Sequence, residues 1–186
     1  MIRRAIDIVA GGLMLALAAP FIALAMLAIR IESKGRAIYR QRRVGRDGRP
    51  FDLLKLRTMV DGAEGIGAGL AVNENDPRIT RVGALLRRTS LDELPNLLNV
   101  LRGEMSLIGP RPTIPVQVAQ YTERQRGRLA VKPGITGLWQ VSGRSDLSWD
   151  ETLALDLRYV DNWSLAGDLE VMTRTVRAVV DGRGAY

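Results

Sequence analysis

The chain has 186 residues, a length that suits one domain with a sizeable core. It contains no cysteine and no histidine, so disulfides, thiol or imidazole catalysis and Cys/His zinc sites are excluded. Any catalysis must use carboxylates, lysine, tyrosine or hydroxyl groups, with an oxygen-liganded metal such as Mg²⁺ as the natural cofactor. The net charge of +7 favours a polyanionic partner: nucleic acid, an anionic membrane surface or a phosphorylated substrate.

A long apolar segment follows the first basic residues. Ile8 to Ile29 carries no charged residue and, at about 22 residues, is long enough to cross a hydrocarbon core of about 30 Å. Positive charge normally concentrates on the cytoplasmic side of a spanning helix, whereas here both flanks are basic. The flanking basic residues are Arg3, Arg4, Arg30, Lys34, Arg36, Arg40, Arg42 and Arg43.

Pro20 lies near the middle of this segment. Its ring removes a backbone donor and clashes with the carbonyl four residues earlier, so we expect a kink or break at Ala19-Pro20. A helix that bends there and returns to the same face keeps both basic flanks in the cytoplasm, and we favour this re-entrant arrangement over a simple span. A cleaved signal peptide is a third option, disfavoured because the apolar run continues past Pro20. We predict a re-entrant membrane helix over 1–30 and a second domain, on the cytoplasmic face, over 31–186.

Residues 37–57 are predicted to form a β-hairpin. Hydrophobic and basic residues alternate on both sides of Arg46-Asp47-Gly48, and Asp-Gly between two such runs is a strong hairpin signal. A solvated face is the usual interpretation of its basic side chains, and the neighbouring membrane segment adds anionic headgroups as an alternative. The glycine-rich stretch 65–69 lacks the flanking elements and lysine of a phosphate-binding loop, so we interpret it as a surface loop or lid.

Beyond Arg78 the pattern is helical. Leucine and valine recur at helical spacing around 82–86, 94–101, 153–160 and 165–180. Ser90 with Glu93 and Ser148 with Glu151 each fit a capping box at a helix start. Apolar stripes of this kind usually face a core, although some could lie along a bilayer surface. The predicted fold is mainly α with a short β-hairpin.

Asp92 and Glu93 are the candidate reactive groups. Two acids at a helix start often only complement the helix dipole and cap free N–H groups. Cations, a helix N-terminus and a carboxylate-held Mg²⁺ are, however, what phosphoryl transfer requires, and in the absence of histidine and cysteine an aspartate is a natural nucleophile toward phosphorus. The basic residues that could join the pair are Lys55, Arg57, Arg87, Arg88 and Arg111.

The sequence resembles the bacterial sugar transferases, small monotopic phosphoglycosyl transferases, over nearly its whole length. The resemblance includes Arg3-Arg4 with Asp7 and the apolar segment interrupted by proline, where many members carry Ser-Pro and this chain has Ala19-Pro20. The other matching stretches are YRQRRVG at 39–45, KLRTM at 55–59, RRTSLDELP at 87–95, SLIGPRP at 106–112, KPGITGLWQ at 132–140 and DLRYVDNWS at 156–164.

This resemblance implies an activity. A sugar-1-phosphate would pass from a UDP-sugar to a polyprenol phosphate by a ping-pong route, through a covalent phosphosugar on Asp92, to initiate polysaccharide or glycoconjugate synthesis. Glu93 is then expected to hold Mg²⁺ together with Asp92. The residues expected to bind substrate phosphates are Arg87, Arg111, Lys55 and Arg57, and further candidates for nucleotide-sugar binding are Thr136, Gln140 and Arg144.

The resemblance also implies a setting. The 31–186 domain would be catalytic, and the protein would be monotopic, inserted in one leaflet at the cytoplasmic face of the bacterial inner membrane, with amphipathic helices on the anionic interface. A membrane-tethered nucleic-acid binder is the chief alternative, but only two Phe and four Tyr are available for stacking, so no nucleic-acid partner is expected. A structural membrane protein would leave the Asp-Glu pair unexplained. The transferred sugar is not identified and the oligomeric state is open, a homodimer being one option.

Overall fold

The computed structural model describes residues 2–66, 76–143 and 147–180, with side chains as far as residue 177. Most of the predicted glycine-rich lid and Arg144 lie outside the described residues. The α-helices are α1 (Ile2–Glu32), α2 (Arg81–Arg88), α3 (Asn96–Arg102), α4 (Pro115–Val118), α5 (Glu123–Arg126), α6 (Trp149–Asp161) and α7 (Leu165–Val180). The strands are β1 (Ile38–Val44), β2 (Pro50–Leu56), β3 (Ser106–Ile108) and β4 (Gly134–Thr136).

The N-terminal helix α1 is continuous over 31 residues and contains Pro20. The helix is therefore not broken at this proline: of the predicted kink or break, the break does not occur, and the re-entrant path stays a prediction. One missing hydrogen bond does not open a helix when opening it would strip more backbone groups of their partners in an apolar segment. Over an 18-residue window its mean hydropathy is 2.4 and only 11% of that window is buried, so α1 could cross a membrane by length and composition.

One face of α1 packs along the rest of the protein. A side chain at Gly11 would meet Val100 Cγ1 at 3.3 Å, so the helix lies close against α3 there. Ala18 belongs to the main core, and Ile29 belongs to a second cluster near the other end of the helix. Exposed apolar side chains on α1 are Ile2, Ile6, Ile8, Val9, Leu13, Met14, Leu17, Phe21, Leu24, Leu27 and Ile31.

The predicted hairpin is confirmed. Strands β1 and β2 are antiparallel, with Ile38 opposite Leu56 and Val44 opposite Pro50. The reversal uses Asp47 and Gly48, which both have positive φ, 57° and 76°, as the Asp-Gly signal predicts. A second pair of strands, β3 and β4, is parallel and was not predicted. The mainly helical fold with a short β-hairpin is thus confirmed, with an additional small sheet.

The two predicted capping boxes have different outcomes. At α6 the Ser148 and Glu151 side chains bond reciprocally to the backbone as predicted. Ser90 instead has φ 56° and makes no capping hydrogen bond, so the box predicted with Glu93 is wrong.

The apolar stripe of α7 is largely exposed. Its exposed residues include Leu165, Leu169 and Val176.

Candidate active site

Asp92 and Glu93 lie on a tight connection between two helices. α2 ends at Arg88, Ser90 turns the chain through the left-handed region, and Leu91–Glu93 form one 3₁₀ turn before α3 begins at Asn96. A non-glycine residue with positive φ is uncommon and indicates that the surrounding structure imposes this conformation. The reversal places the two carboxylates beside the β-hairpin rather than at the start of a regular helix.

The Glu93 carboxylate is held by two cations. Its Oε1 lies 2.7 Å from Lys55 Nζ and 2.7 Å from Arg111 Nη2, and its Oε2 lies 3.5 Å from Arg111 Nη1. Burial opposes ionisation, but the charges of Arg111 and Lys55 overcome it and hold the pKa of Glu93 well below its usual range. Glu93 is therefore a fixed negative charge that aligns one lysine and one arginine.

Asp92 has different surroundings. It is partly buried and makes no hydrogen bond or ion pair with any residue that the structure describes. Burial, together with the neighbouring charge of Glu93, raises the pKa of Asp92, while Lys55, Arg111 and Arg87 act against this rise. A carboxylate close to cations but bonded to none of them is available for a ligand or for chemistry.

Arg87 approaches Asp92 from the last turn of α2. Its Nε donates to Thr58 Oγ1 at 2.8 Å, which fixes the guanidinium next to the end of the hairpin. Burial lowers the pKa of Arg87, and the charge of Asp92 opposes that change, so the two groups are close enough to interact electrostatically. Arg87 is thus placed to contact an anion that reaches Asp92.

Arg43 is a site residue that the sequence did not single out. Its Nη1 donates to the carbonyl of Pro112 at 2.8 Å, beside Arg111. Burial and the charge of Arg111 lower the pKa of Arg43 to about 10. Arg43 lies in β1, the strand that pairs with β2. Its place in the alternating pattern of the predicted hairpin was the signal in the sequence that could have identified it. A narrow cleft lies on the Glu93 side of the cluster, and neither Asp92 nor Arg87 lines it. Its lining residues are Arg43, Leu53, Lys55, Glu93, Asn96, Met105, Arg111, Pro112, Gly134 and Ile135.

Three predicted residues have their described hydrogen bonds elsewhere, and a fourth is not among the described residues. Arg57 bonds the end of α1, donating to the carbonyls of Ser33 and Lys34 at 2.8 and 2.5 Å. Thr136 is buried and shares a hydrogen bond with Thr175 of α7, while Gln140 donates to the Ile135 carbonyl at 3.1 Å. Arg144 lies outside the described residues. The structure therefore brings together Asp92, Glu93, Lys55, Arg87 and Arg111, but not Arg57.

Asp92 and Glu93 differ in how well they fit a magnesium ion. No group of three or more acidic side chains that could hold a metal ion occurs within the described ranges, and both oxygens of Glu93 already face cations. Asp92 has no such partner in those ranges and could donate an oxygen. Mg²⁺ commonly binds one or two carboxylates plus substrate phosphates and waters, so Asp92 fits a magnesium ion that arrives with a diphosphate.

Comparison with known proteins assigns the chain to a family. The bacterial sugar transferase family model matches residues 1–182. Exopolysaccharide production protein ExoY of Rhizobium meliloti is 41% identical over a 200-residue alignment that covers 100% of this chain and 88% of the relative. The UDP-glucose:undecaprenyl-phosphate glucose-1-phosphate transferase of Caulobacter vibrioides is 45% identical over an alignment that covers 99% of this chain and 72% of the relative. The undecaprenyl-phosphate galactose phosphotransferase of Salmonella typhimurium is 40% identical, and the chain spans 42% of its length. This chain belongs to the bacterial sugar transferase family.

Proposed function

We propose that this protein transfers a sugar-1-phosphate from a UDP-sugar to a polyprenol phosphate, as the first membrane step of polysaccharide or glycoconjugate synthesis. The names of the Caulobacter and Salmonella relatives describe transfer onto undecaprenyl phosphate, and the Rhizobium relative is named for exopolysaccharide production. The site supports the same chemistry, because the charges of Lys55, Arg87 and Arg111 act on the Asp92 carboxylate, which bonds none of the side chains that the structure describes. This placement of Asp92 is the observation that carries the proposal.

In the first half-reaction, an Asp92 carboxylate oxygen attacks the β-phosphorus of the UDP-sugar. The bond between that phosphorus and the bridging oxygen breaks, UMP leaves with the oxygen, and the sugar phosphate stays on Asp92 as an acyl phosphate. A phosphate oxygen of polyprenol phosphate then attacks the same phosphorus. The bond to Asp92 breaks, the carboxylate is restored, and a polyprenol diphosphate sugar is released.

The surrounding cations provide the electrostatic part of this mechanism. Lys55 and Arg111 are aligned by Glu93, and Arg87 is fixed by Thr58, so their positive charges need no rearrangement when negative charge develops on the phosphate oxygens. Mg²⁺, when bound, would neutralise the diphosphate and polarise the phosphorus. Asp92 is the described carboxylate best placed to hold it, with Glu93 beside it keeping the cations in place.

Insertion in a single leaflet at the cytoplasmic face is part of the proposal. Near its N-terminus, α1 bonds the domain through Arg3 and Asp7, whose side chains reach Ile108 O and Ser106 Oγ. At its other end Glu32 accepts from the backbone N–H groups of Arg81 and Val82. A helix tied at both ends to one domain cannot place those ends on opposite sides of a membrane, which supports the one-leaflet arrangement and a surface in contact with anionic lipid.

The first test is the fate of Asp92. Wild-type protein incubated with Mg²⁺, polyprenol phosphate and UDP-sugars should release UMP, and Asp92→Asn should reduce release by at least about 1,000-fold because the nucleophile is lost. Without lipid, intact mass spectrometry should detect a phosphosugar adduct on wild type and none on Asp92→Asn. Asp52→Asn, in an exposed ion pair with Arg42, is the matched control and should behave as wild type. Full turnover by Asp92→Asn would overturn the nucleophile assignment.

A further inference from the structure

The backbone around Arg111 is hydrogen-bonded by the side chain of Arg128, which takes no part in the proposed reaction. Arg128 Nη2 donates to the main-chain carbonyl of Arg111 at 2.9 Å, and Arg128 Nη1 donates to Thr113 Oγ1 at 2.5 Å. Arg128 is only 4% exposed and lies on a 3₁₀ turn, Gly127–Ala130. The Arg128 guanidinium therefore hydrogen-bonds the chain at Arg111 and again at Thr113.

Asp156 of α6 in turn holds Arg128. The two side chains form an ion pair, and Asp156 is fully buried, with an exposed fraction of 0%. The Tyr121 hydroxyl joins the same network by donating to Thr113 Oγ1 at 2.9 Å. Apolar residues of similar volume can often replace a buried ion pair without loss of stability, so stability alone gives a weak reason for burying these charges.

We propose that Arg128 and Asp156 are positioning residues, which fix the Arg111 carbonyl and thereby aim the Arg111 guanidinium at Glu93 and at the substrate diphosphate. Pro110 and Pro112 restrict the backbone on either side of Arg111, so fixing one carbonyl leaves the segment little freedom. The statement about the diphosphate rests on the proposed function. The statement about Glu93 rests only on the 2.7 Å contact between Arg111 and Glu93. Asp156, the first residue of the DLRYVDNWS stretch, thereby acts on the site from α6.

A double-mutant cycle on turnover tests the contact with substrate. Asp156→Asn keeps the size of the side chain but removes its charge, and it should raise KM for the UDP-sugar by about 10-fold while altering kcat less. In an Arg111→Gln background the same change should alter KM by less than about 2-fold, because there is no guanidinium left to aim. Asp52→Asn should leave KM unchanged in both backgrounds. Equal effects of Asp156→Asn in the two backgrounds would overturn the proposal.

A second cycle, on thermal stability, does not depend on turnover. Asp156→Asn and Glu93→Gln should each lower the melting temperature of the full-length protein, and the double variant should lose clearly less than the sum of the two losses. Strict additivity would mean that Asp156 does not act through Arg111. If Asp156→Asn does not fold, Tyr121→Phe, which removes one hydroxyl from the network, takes its place. A wild type without turnover would refute the proposed function, and this cycle would still decide the role of Asp156.

Discussion

Asp92 and Glu93 are neighbours in the sequence, yet their carboxylates meet opposite surroundings. Glu93 bonds Lys55 and Arg111 and has a depressed pKa, whereas Asp92 is bonded to neither cation and has a raised pKa. Adjacent carboxylates whose environments push their pKa values apart commonly divide their roles. We infer that Glu93 organises the charges and that Asp92 reacts.

This division predicts opposite pH shifts in two variants. Asp92 must be ionised to attack, so adduct formation should fall as the pH drops through its pKa, which burial raises above that of an ordinary aspartate. Glu93→Gln removes a charge that raises the pKa of Asp92 and should move this acid limb to lower pH. Lys55→Gln removes a charge that lowers that pKa and should move the limb to higher pH.

The measurement is single-turnover adduct formation across pH, with melting curves to show that each variant is folded at every pH used. The two variants serve as controls for each other, because a general loss of structure would move both limbs in the same direction. Shifts of equal sign would contradict the electrostatic assignment.

At this scale the sequence predicted which residues cluster but not the contacts among them. Asp92, Glu93, Lys55, Arg87 and Arg111 were predicted and are found together. Glu93 was expected to cap a helix with Ser90, but its carboxylate contacts residues from the hairpin and from 110–112 instead. A local pattern cannot report a partner that is distant in sequence, whereas the Ser148–Glu151 box forms because its partners are local.

The strand pair β3–β4 positions Arg111 at the site. A side-chain carbon at Gly109 would lie 2.6 Å from the carbonyl oxygen of Lys132, and one at Gly134 would lie 2.1 Å from the Gly109 nitrogen. Real Cβ atoms do not approach backbone this closely, so glycine is needed for the segments to meet. This pairing was not predicted, because each strand has three residues and its partner is distant in sequence.

Gly109→Ala should therefore push Arg111 away from Glu93. The expected loss is about 1–3 kcal/mol from overpacking, or a melting temperature lower by about 2–12 °C, together with lower turnover. Gly12→Ala is the matched control, since a side chain there meets nothing within 4 Å and alanine suits a helix. An unchanged melting temperature for Gly109→Ala would show that the two strands separate more readily than the contact distances indicate.

For the molecule as a whole, α1 belongs to the folded domain at both ends. The charge pattern predicts Arg3 and Arg4 only as part of a basic flank in the cytoplasm. In the structure Arg4 donates to the carbonyls of Val100 and Leu101 at 2.5 and 2.7 Å, and Arg3 contacts Tyr159 at 2.7 Å. Counting charges in the sequence could not show that these arginines bond the protein itself, because that depends on what lies opposite each one in the fold. The central apolar face of α1 is exposed.

Single cysteines can test the topology, because the chain has none of its own. Ile2→Cys and Arg36→Cys replace exposed residues on the two sides of the apolar segment, and both should react with a membrane-impermeant maleimide from the cytoplasmic side only. Gly35 is unsuitable, since a Cβ there would lie 2.3 Å from the Arg57 guanidinium. Leu17→Cys should resist labelling from either side. Labelling of positions 2 and 36 from opposite sides would restore a spanning helix.

The Asp7 carboxylate, which accepts from Ser106 Oγ and from the backbone N–H of Leu107 at 2.9 Å, has a practical consequence. Cutting the chain after the apolar helix, the usual route to a water-soluble fragment, would leave two donors of the strand leading to Arg111 without the carboxylate that accepts from them. It would also remove Ala18 and Ile29 from two cores. Preparations for biochemistry should keep the intact chain in nanodiscs or detergent, because the anchor is also part of the scaffold.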